Sequence, residues 1–375
     1  MKVGSRGGPS RVLVTGGAGY LGSVVVAQLL ERGLNVRVLD SLLFGEESLA
    51  SLRSHADCEV IRGDVRDIES VVRAMSGCDA AIHLAGIVGD QACEANRQLA
   101  IDVNAAATRM LADVAPRCGV RRFLFASSCS VYGSSRATVD ESAKLRPLSL
   151  YAQTKVDSEN ILLHARTPCF APTVLRLGTL FGLSARMRFD LVVNLLVARA
   201  LSSGRIIIKN GWQWRPFVHV RDAARAFLAC LEHPADFVSG EVFNVGAHFL
   251  NAQIKQLGET VARVIPGTVV TEMHDNLDRR SYRACFDKIE QKIGFACAET
   301  LDSGMCEISA AIATSAIAAF SPYASAKPSS VNALAPVIAN QLSSPRRSVI
   351  QTKRNHKPLS VVPIRTGASK SLAGD

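Results

Sequence analysis

The chain has 375 residues, 48% hydrophobic and 20% charged, which is enough apolar material for a large core and about two domains. No apolar run approaches the ~18 residues that a membrane-crossing helix needs; the polar, basic segment 1–10 lacks the apolar stretch of a signal peptide and reads as a flexible leader. Of the net charge of +10, +7 falls on residues 311–375, so the body is nearly balanced, and neither a nucleic-acid nor a membrane partner is expected.

In chain order, an apolar β run at 12–14 enters Thr15-Gly16-Gly17-Ala18-Gly19-Tyr20-Leu21-Gly22 and then a helical pattern over 21–32 that stops at Gly33. Glycines at 16, 19 and 22 suit a tight turn, close approach of backbone to a pyrophosphate, and close helix–strand packing. The helix start aims its free N–H groups at the anion. A second β run at 36–39 ends in Asp40, at the distance expected of an acid that binds a ribose. The run 59–62 ends in Gly63-Asp64, where a carboxylate can accept from an adenine amino group, and Asp67 suits a helix N-cap. The strand 80–83 runs into small residues, with His83 read as a packed core histidine. A helix over 98–115 carries Asn104, and the β run 122–126 ends in Ser127-Ser128-Cys129-Ser130. Strands alternating with helices at this spacing indicate an α/β fold with a doubly wound, mostly parallel Rossmann-type sheet.

Tyr151 and Lys155 stand one helical turn apart on one face. A phenol titrates near ~10, too high for a base at neutral pH, and a neighbouring ammonium favours the phenolate. The helix extends to about 165, a strand covers 173–177, and a smaller second domain follows. It contains a helix over 189–201, a strand at 205–209, the segment Trp212 to Asp222, a strand at 241–246, a helix over 251–265 and a second cleft element at 278–283. The tryptophans Trp212 and Trp214 suit either stacking on a base or packing. The expected division is 11–178 for dinucleotide binding, 179–310 mainly for substrate, and a disordered basic tail at 311–375. The ten cysteines stand singly without C-x-x-C, which points to reduced thiols in a cytoplasm. The histidines show no paired ligand spacing, so no metal is expected.

T-G-G-x-G-Y-L-G, G-D-V-R-D, H-L-A-G, S-S-C-S-V-Y-G, Y-x-x-x-K and R-P-F-V-H-V-R-D, taken in order over about 11–308, resemble the extended short-chain dehydrogenase/reductase family. Within it, the similarity is to NAD-dependent epimerase/dehydratases acting on nucleotide sugars, of the UDP-glucose 4-epimerase kind. The resemblance implies Ser128, Tyr151 and Lys155 as the catalytic set. It implies NAD contacts from Gly16, Gly19, Tyr20, Leu21, Gly22, Asp40, Asp64, Val65, Leu84, Ala85, Asn104 and Ser127, besides Tyr151 and Lys155. Substrate contacts would come from Ser128, from Thr179 (where family members often carry Asn) and from Arg215, whose guanidinium can fork onto a diphosphate. A homodimer is also implied. Dehydratases of this family resemble one another in an Asp-Glu pair after the catalytic hydroxyl, and decarboxylases in a Glu before V-Y-G; here Cys129 and Ser130 stand there, which favours a C4 epimerase. A reductase or dehydrogenase that releases its cofactor, or a dehydratase of the same family, is the alternative, and a non-catalytic dinucleotide-binding protein the lesser one.

Overall fold

The computed structural model of the chain describes residues 10–274 and 278–314. The expectations for the leader before Ser10 and for all but the first residues of the tail lie outside them.

Strand β1 (Arg11–Thr15) leads through the glycine turn into helix α1 (Tyr20–Glu31), and β2 (Asn35–Asp40) and β3 (Cys58–Arg62) follow. Next come α2 (Ile68–Met75), β4 (Ala80–His83), α3 (Asp90–Ala95) and α4 (Arg97–Ile101). A π-helical turn, Asp102–Ala106, joins α4 to α5 (Ala107–Val114), so the helix expected over 98–115 is a broken one. Beyond β5 (Arg122–Ser128) and β6 (Ser134–Val139) lie α6 (Leu150–His164), β7 (Ala171–Leu177), β8 (Thr179–Phe181) and α7 (Val192–Ser203). The rest comprises β9 (Arg205–Lys209), β10 (Trp214–His219), α8 (Val220–Glu232), α9 (Ala235–Val238), β11 (Val242–Val245) and β12 (Asn251–Gln253). After these come α10 (Ile254–Val264), β13 (Val269–Met273), β14 (Ser281–Ala284), α11 (Asp287–Ile293) and α12 (Leu301–Ala313).

Seven strands form one sheet in the order β11-β7-β5-β4-β1-β2-β3, with every neighbouring pair parallel. Its inner strands are buried on both faces, as a sheet covered by crossover helices requires, while the edge strand β3 is only partly buried. One apolar cluster packs α1 and α8 against one face, and a second packs α2, α5 and α6 against the other. The chain order reverses between β1 and β4, and open α/β sheets bind ligands at the carboxyl edge of such a reversal. A third cluster joins α7, α10 and α12 to β8, β9 and β10. There β10 pairs in parallel with β8 and antiparallel with β12, and β13 pairs with β9.

Long polar contacts fasten this second layer. His219 caps α8 through its Nδ1 and reaches Glu307 on α12 with Nε2 at 2.6 Å, and Arg221 binds the same carboxylate and Glu299. Much of the R-P-F-V-H-V-R-D motif is therefore architectural. Among the described residues, no helix is long and apolar enough to cross a membrane.

Candidate active site

The glycine turn has the shape its spacing implies. Gly16 has φ of 73°, and a Cβ there would sit 2.7 Å from the Ala85 nitrogen; a Cβ on Gly22 would collide with the Gly16 carbonyl. Gly19 is the N-cap of α1, and no side chain caps the first amides of that helix. The positive end of the helix is thus left for an anion. At the end of β2, the Asp40 carboxylate accepts from the amides of Ala18 (3.0 Å) and Leu42 (2.8 Å), which holds it at the rim of the turn. Arg37, two residues inside the strand, is bound to Glu59 and to the carbonyls of Ala74 and Ser76, so its charge is spent behind the sheet. This cradle fits a dinucleotide, with glycines where side chains would clash, bare helix amides and an acid at the β2 end.

The remaining residues expected to line this groove behave unequally. Tyr20 sends its hydroxyl to the Gly182 carbonyl (2.6 Å), while Leu21 and Val65 are packed into the core clusters, which leaves contact from those two to the backbone. The Leu84 amide donates to the Thr15 carbonyl at 3.1 Å, and the Ala85 amide to the Thr15 hydroxyl at 3.3 Å. Asn104 lies in the π-helical turn, a feature common at functional sites. Its amide accepts from Ile87 N–H (2.7 Å) and donates to Ile87 O (2.9 Å) and to Thr154 (3.2 Å), so it clamps the loop after β4 to α6. Asp64 is gripped by Arg66, with the Nε at 3.0 Å and Nη2 at 2.5 Å. An adenine amino group would have to share that carboxylate. The Ser127 hydroxyl donates to Glu159, which forms a buried ion pair with Arg176 at 2.7 Å, so a cofactor contact from Ser127 is left to its backbone. His83 is a core histidine as expected, bonded to Thr15 (2.7 Å) and Thr108 (3.1 Å), and burial lowers its pKa to about 3.

Ser128 ends β5 at the carboxyl edge of the sheet, where its side chain favours ionisation of the Tyr151 phenol and its Oγ accepts from Ser130 N–H at 3.1 Å. Lys155 Nζ donates to the Ala126 carbonyl at 2.7 Å and sits 4.7 Å from the Phe125 ring centre and 5.8 Å from that of Tyr151. Burial pushes the Tyr151 phenol up to about 12, and the opposing influences are the Arg188 charge and the Ser128 side chain. Burial also lowers Lys155 to about 8. The cation that most eases ionisation of the phenol is therefore Arg188, on the segment before α7 and paired with Asp190 at 2.5 Å. No motif marks Arg188, because its proximity to Tyr151 is made by the fold. Close by, the Arg186 guanidinium lies 3.9 Å over the Phe44 ring.

Thr179 pairs with Phe217, two residues beyond Arg215, so Thr179 and Arg215 share a face. The Arg215 guanidinium is engaged by the Trp214 carbonyl (2.9 Å), the Arg280 carbonyl and Asp278 (3.0 Å). A diphosphate there would have to join this set. Arg280 in turn bridges Asp278 (2.8 Å) and Asp90 of α3 (2.5 Å), a link between distant segments that sequence reading missed. All ten cysteines are free thiols. His248, Cys285 and Asp287 bring three ligand-type atoms within 4.8 Å of one another, at spacings that no metal motif describes.

A parallel sheet with a glycine cradle at its switch point, and a serine–tyrosine–lysine set beside it, define a Rossmann-type dinucleotide-dependent enzyme fold. The family model for the NAD dependent epimerase/dehydratase family matches residues 12–246. The chain belongs to that family. It is similar to UDP-glucose 4-epimerase of Corynebacterium glutamicum, 26% identical over 305 residues that cover 76% of this chain and 90% of that protein. It is also similar to 3 beta-hydroxysteroid dehydrogenase/Delta 5→4-isomerase of Mycobacterium tuberculosis, 37% identical over 161 residues, or 41% of this chain and 42% of the relative's length. The chain thus spans less than half of that relative. Among solved structures, MoeE5 in complex with UDP-glucose and NAD superposes with a TM-score of 0.71 at 26% identity, covering 82% of this chain and 99% of the other.

Proposed function

We propose that this chain is an NAD-dependent nucleotide-sugar epimerase that works by transient oxidation of a sugar carbinol, C4 in the simplest case. The observation that carries the reading is Ser128 at the carboxyl end of β5, where its side chain favours ionisation of the Tyr151 phenol, beside the glycine cradle. Gly16, Gly22, the first amides of α1 and Asp40 would hold NAD, whose bound oxidised ring would accept a hydride from the carbinol carbon and return it to the opposite face of the ketone. Asp40 favours a ribose 2′-hydroxyl and repels a 2′-phosphate. Tyr151 Oη takes the carbinol proton and later gives it back, and Ser128 Oγ steadies the same substrate oxygen. At about 12, the phenol is protonated at neutral pH, so the forward step needs further positive charge beside Arg188. Lys155 Nζ, which donates to Ala126 O, would hold the nicotinamide ribose. Cys129 and Ser130 carry no acid or base for eliminating water, which supports epimerase over dehydratase. The free thiols suit a reducing compartment, and a homodimer is the expected assembly.

A second reading, a dehydrogenase that releases its cofactor at each turnover, draws support from the 37% identity with the steroid dehydrogenase. Incubating the purified protein with a panel of nucleotide sugars, resolving the products by chromatography and following NADH absorbance separates the two. An epimerised sugar without net NADH supports the proposal. NADH accumulating in step with product overturns it in favour of the dehydrogenase, and tighter binding of NADP than of NAD overturns the cofactor assignment.

A further inference from the structure

Buried polar atoms in folded proteins nearly always have hydrogen-bond partners, so each exception asks for an explanation. Among the described residues three buried side-chain atoms have none: Gln28 Oε1, Asp90 Oδ1 and Ser130 Oγ. The first lies on α1, where the same side chain donates to the Arg221 carbonyl, and belongs to helix packing. The other two lie on segments beside Tyr151. Ser130 is 7% exposed and gives its N–H to Ser128. Asp90 opens α3 beyond the carboxyl end of β4, and α3 packs against α6, the helix that carries Tyr151.

Asp90 is also held in place. Arg280 Nη1 binds its Oδ2 at 2.5 Å, while Oδ1 is left over. A carboxylate oxygen already oriented by an arginine can only accept, so its complement is a neutral donor such as a hydroxyl. Phosphate and carbonyl oxygens are excluded because they carry no proton. We propose that Asp90 Oδ1 accepts a hydrogen bond from a hydroxyl on the sugar ring of the substrate, with Ser130 Oγ making a second ring contact. The inference rests on the nucleotide-sugar reading and adds to it a site for the sugar's own hydroxyls. The same arginine continues to Asp278, and Asp278 to Arg215, so one ionic chain joins the sugar end of the site to the end expected to hold the diphosphate.

Asp90→Asn keeps the shape but presents an amide in place of the accepting oxygen. Titrations would use the full chain with NAD present and, as probes, UDP, UDP-glucose, dTDP-glucose and the monodeoxy analogues of the glucose nucleotide that binds. The variant should weaken the glucose nucleotide by about 10-fold or more and leave UDP within about 2-fold, because only the sugar loses a charge-assisted bond. For one deoxy analogue, the wild type should show a loss of similar size that disappears in Asp90→Asn, the signature of a shared contact. Unchanged NAD affinity reports an intact fold. If UDP and the glucose nucleotide weaken equally, Asp90 serves only to hold Arg280 and the inference falls; it also falls if every deoxy loss persists in the variant. A wild type that binds neither glucose nucleotide overturns both the inference and the proposed function, whereas normal binding with an indifferent Asp90→Asn overturns the inference alone.

Discussion

Replacing Lys155 with methionine removes a charge from a place that disfavours it. The residue is 5% exposed, its Nζ has the Ala126 carbonyl as hydrogen-bond partner, and burial lowers its pKa from 10.5 to about 8. Between those values the unfolded chain holds the proton and the folded chain does not. The contribution of this group to stability is therefore least favourable below pH 8 and improves as pH rises towards 10.5. At 1.36 kcal/mol for each tenfold change in proton affinity, the gap amounts to ~3 kcal/mol. Losing the bond to Ala126 costs about 1–3 kcal/mol, so Lys155→Met at neutral pH should fold about as stably as the wild type while its turnover collapses. Raising the pH from 7 to 10 should then favour the wild type by most of that ~3 kcal/mol. Urea unfolding of both proteins at pH 7, 8.5 and 10 measures this. Taking the difference removes the opposite drift from Cys129 and Cys230, whose burial raises their pKa values. A stability difference that stays constant across the range would refute the argument.

Tyr151→Phe keeps the ring and removes the proton carrier, so turnover should fall ~100-fold or more with nucleotide-sugar affinity near normal; a variant that keeps most of its turnover per folded molecule ends the mechanism. Activity of the wild type should rise with pH above neutrality, since burial holds the phenol at about 12, and a flat pH–rate profile in that range would show that another group carries the proton. Glu159→Ala leaves Arg176, 4% exposed, without its carboxylate and should cost about 3–5 kcal/mol in denaturant unfolding; a change under ~1 kcal/mol would mean that water or another group replaces the pair.

What the amino-acid order determined by itself is local. The glycine turn, the alternation of strand and helix, the acid at the end of β2 and the Tyr151–Lys155 spacing depend on neighbours a few residues apart, and steric and periodic rules read such features directly. Asp67 as a helix cap and His83 as a core residue were legible for the same reason. The tertiary structure decided where each functional group spends its hydrogen bonds and charge. Lys155 satisfies a strand carbonyl and not the phenol, Ser127 turns to Glu159, Asp64 is shared with Arg66, and Arg215 is tied to Asp278. The cation that most favours the Tyr151 phenolate comes from the segment before α7, and the carboxylate of Asp90 is held by Arg280, far along the chain. Each of these depends on which buried polar groups the packing brings within reach, and in a medium of low dielectric the nearest partner prevails. Residue spacing carries no record of that competition.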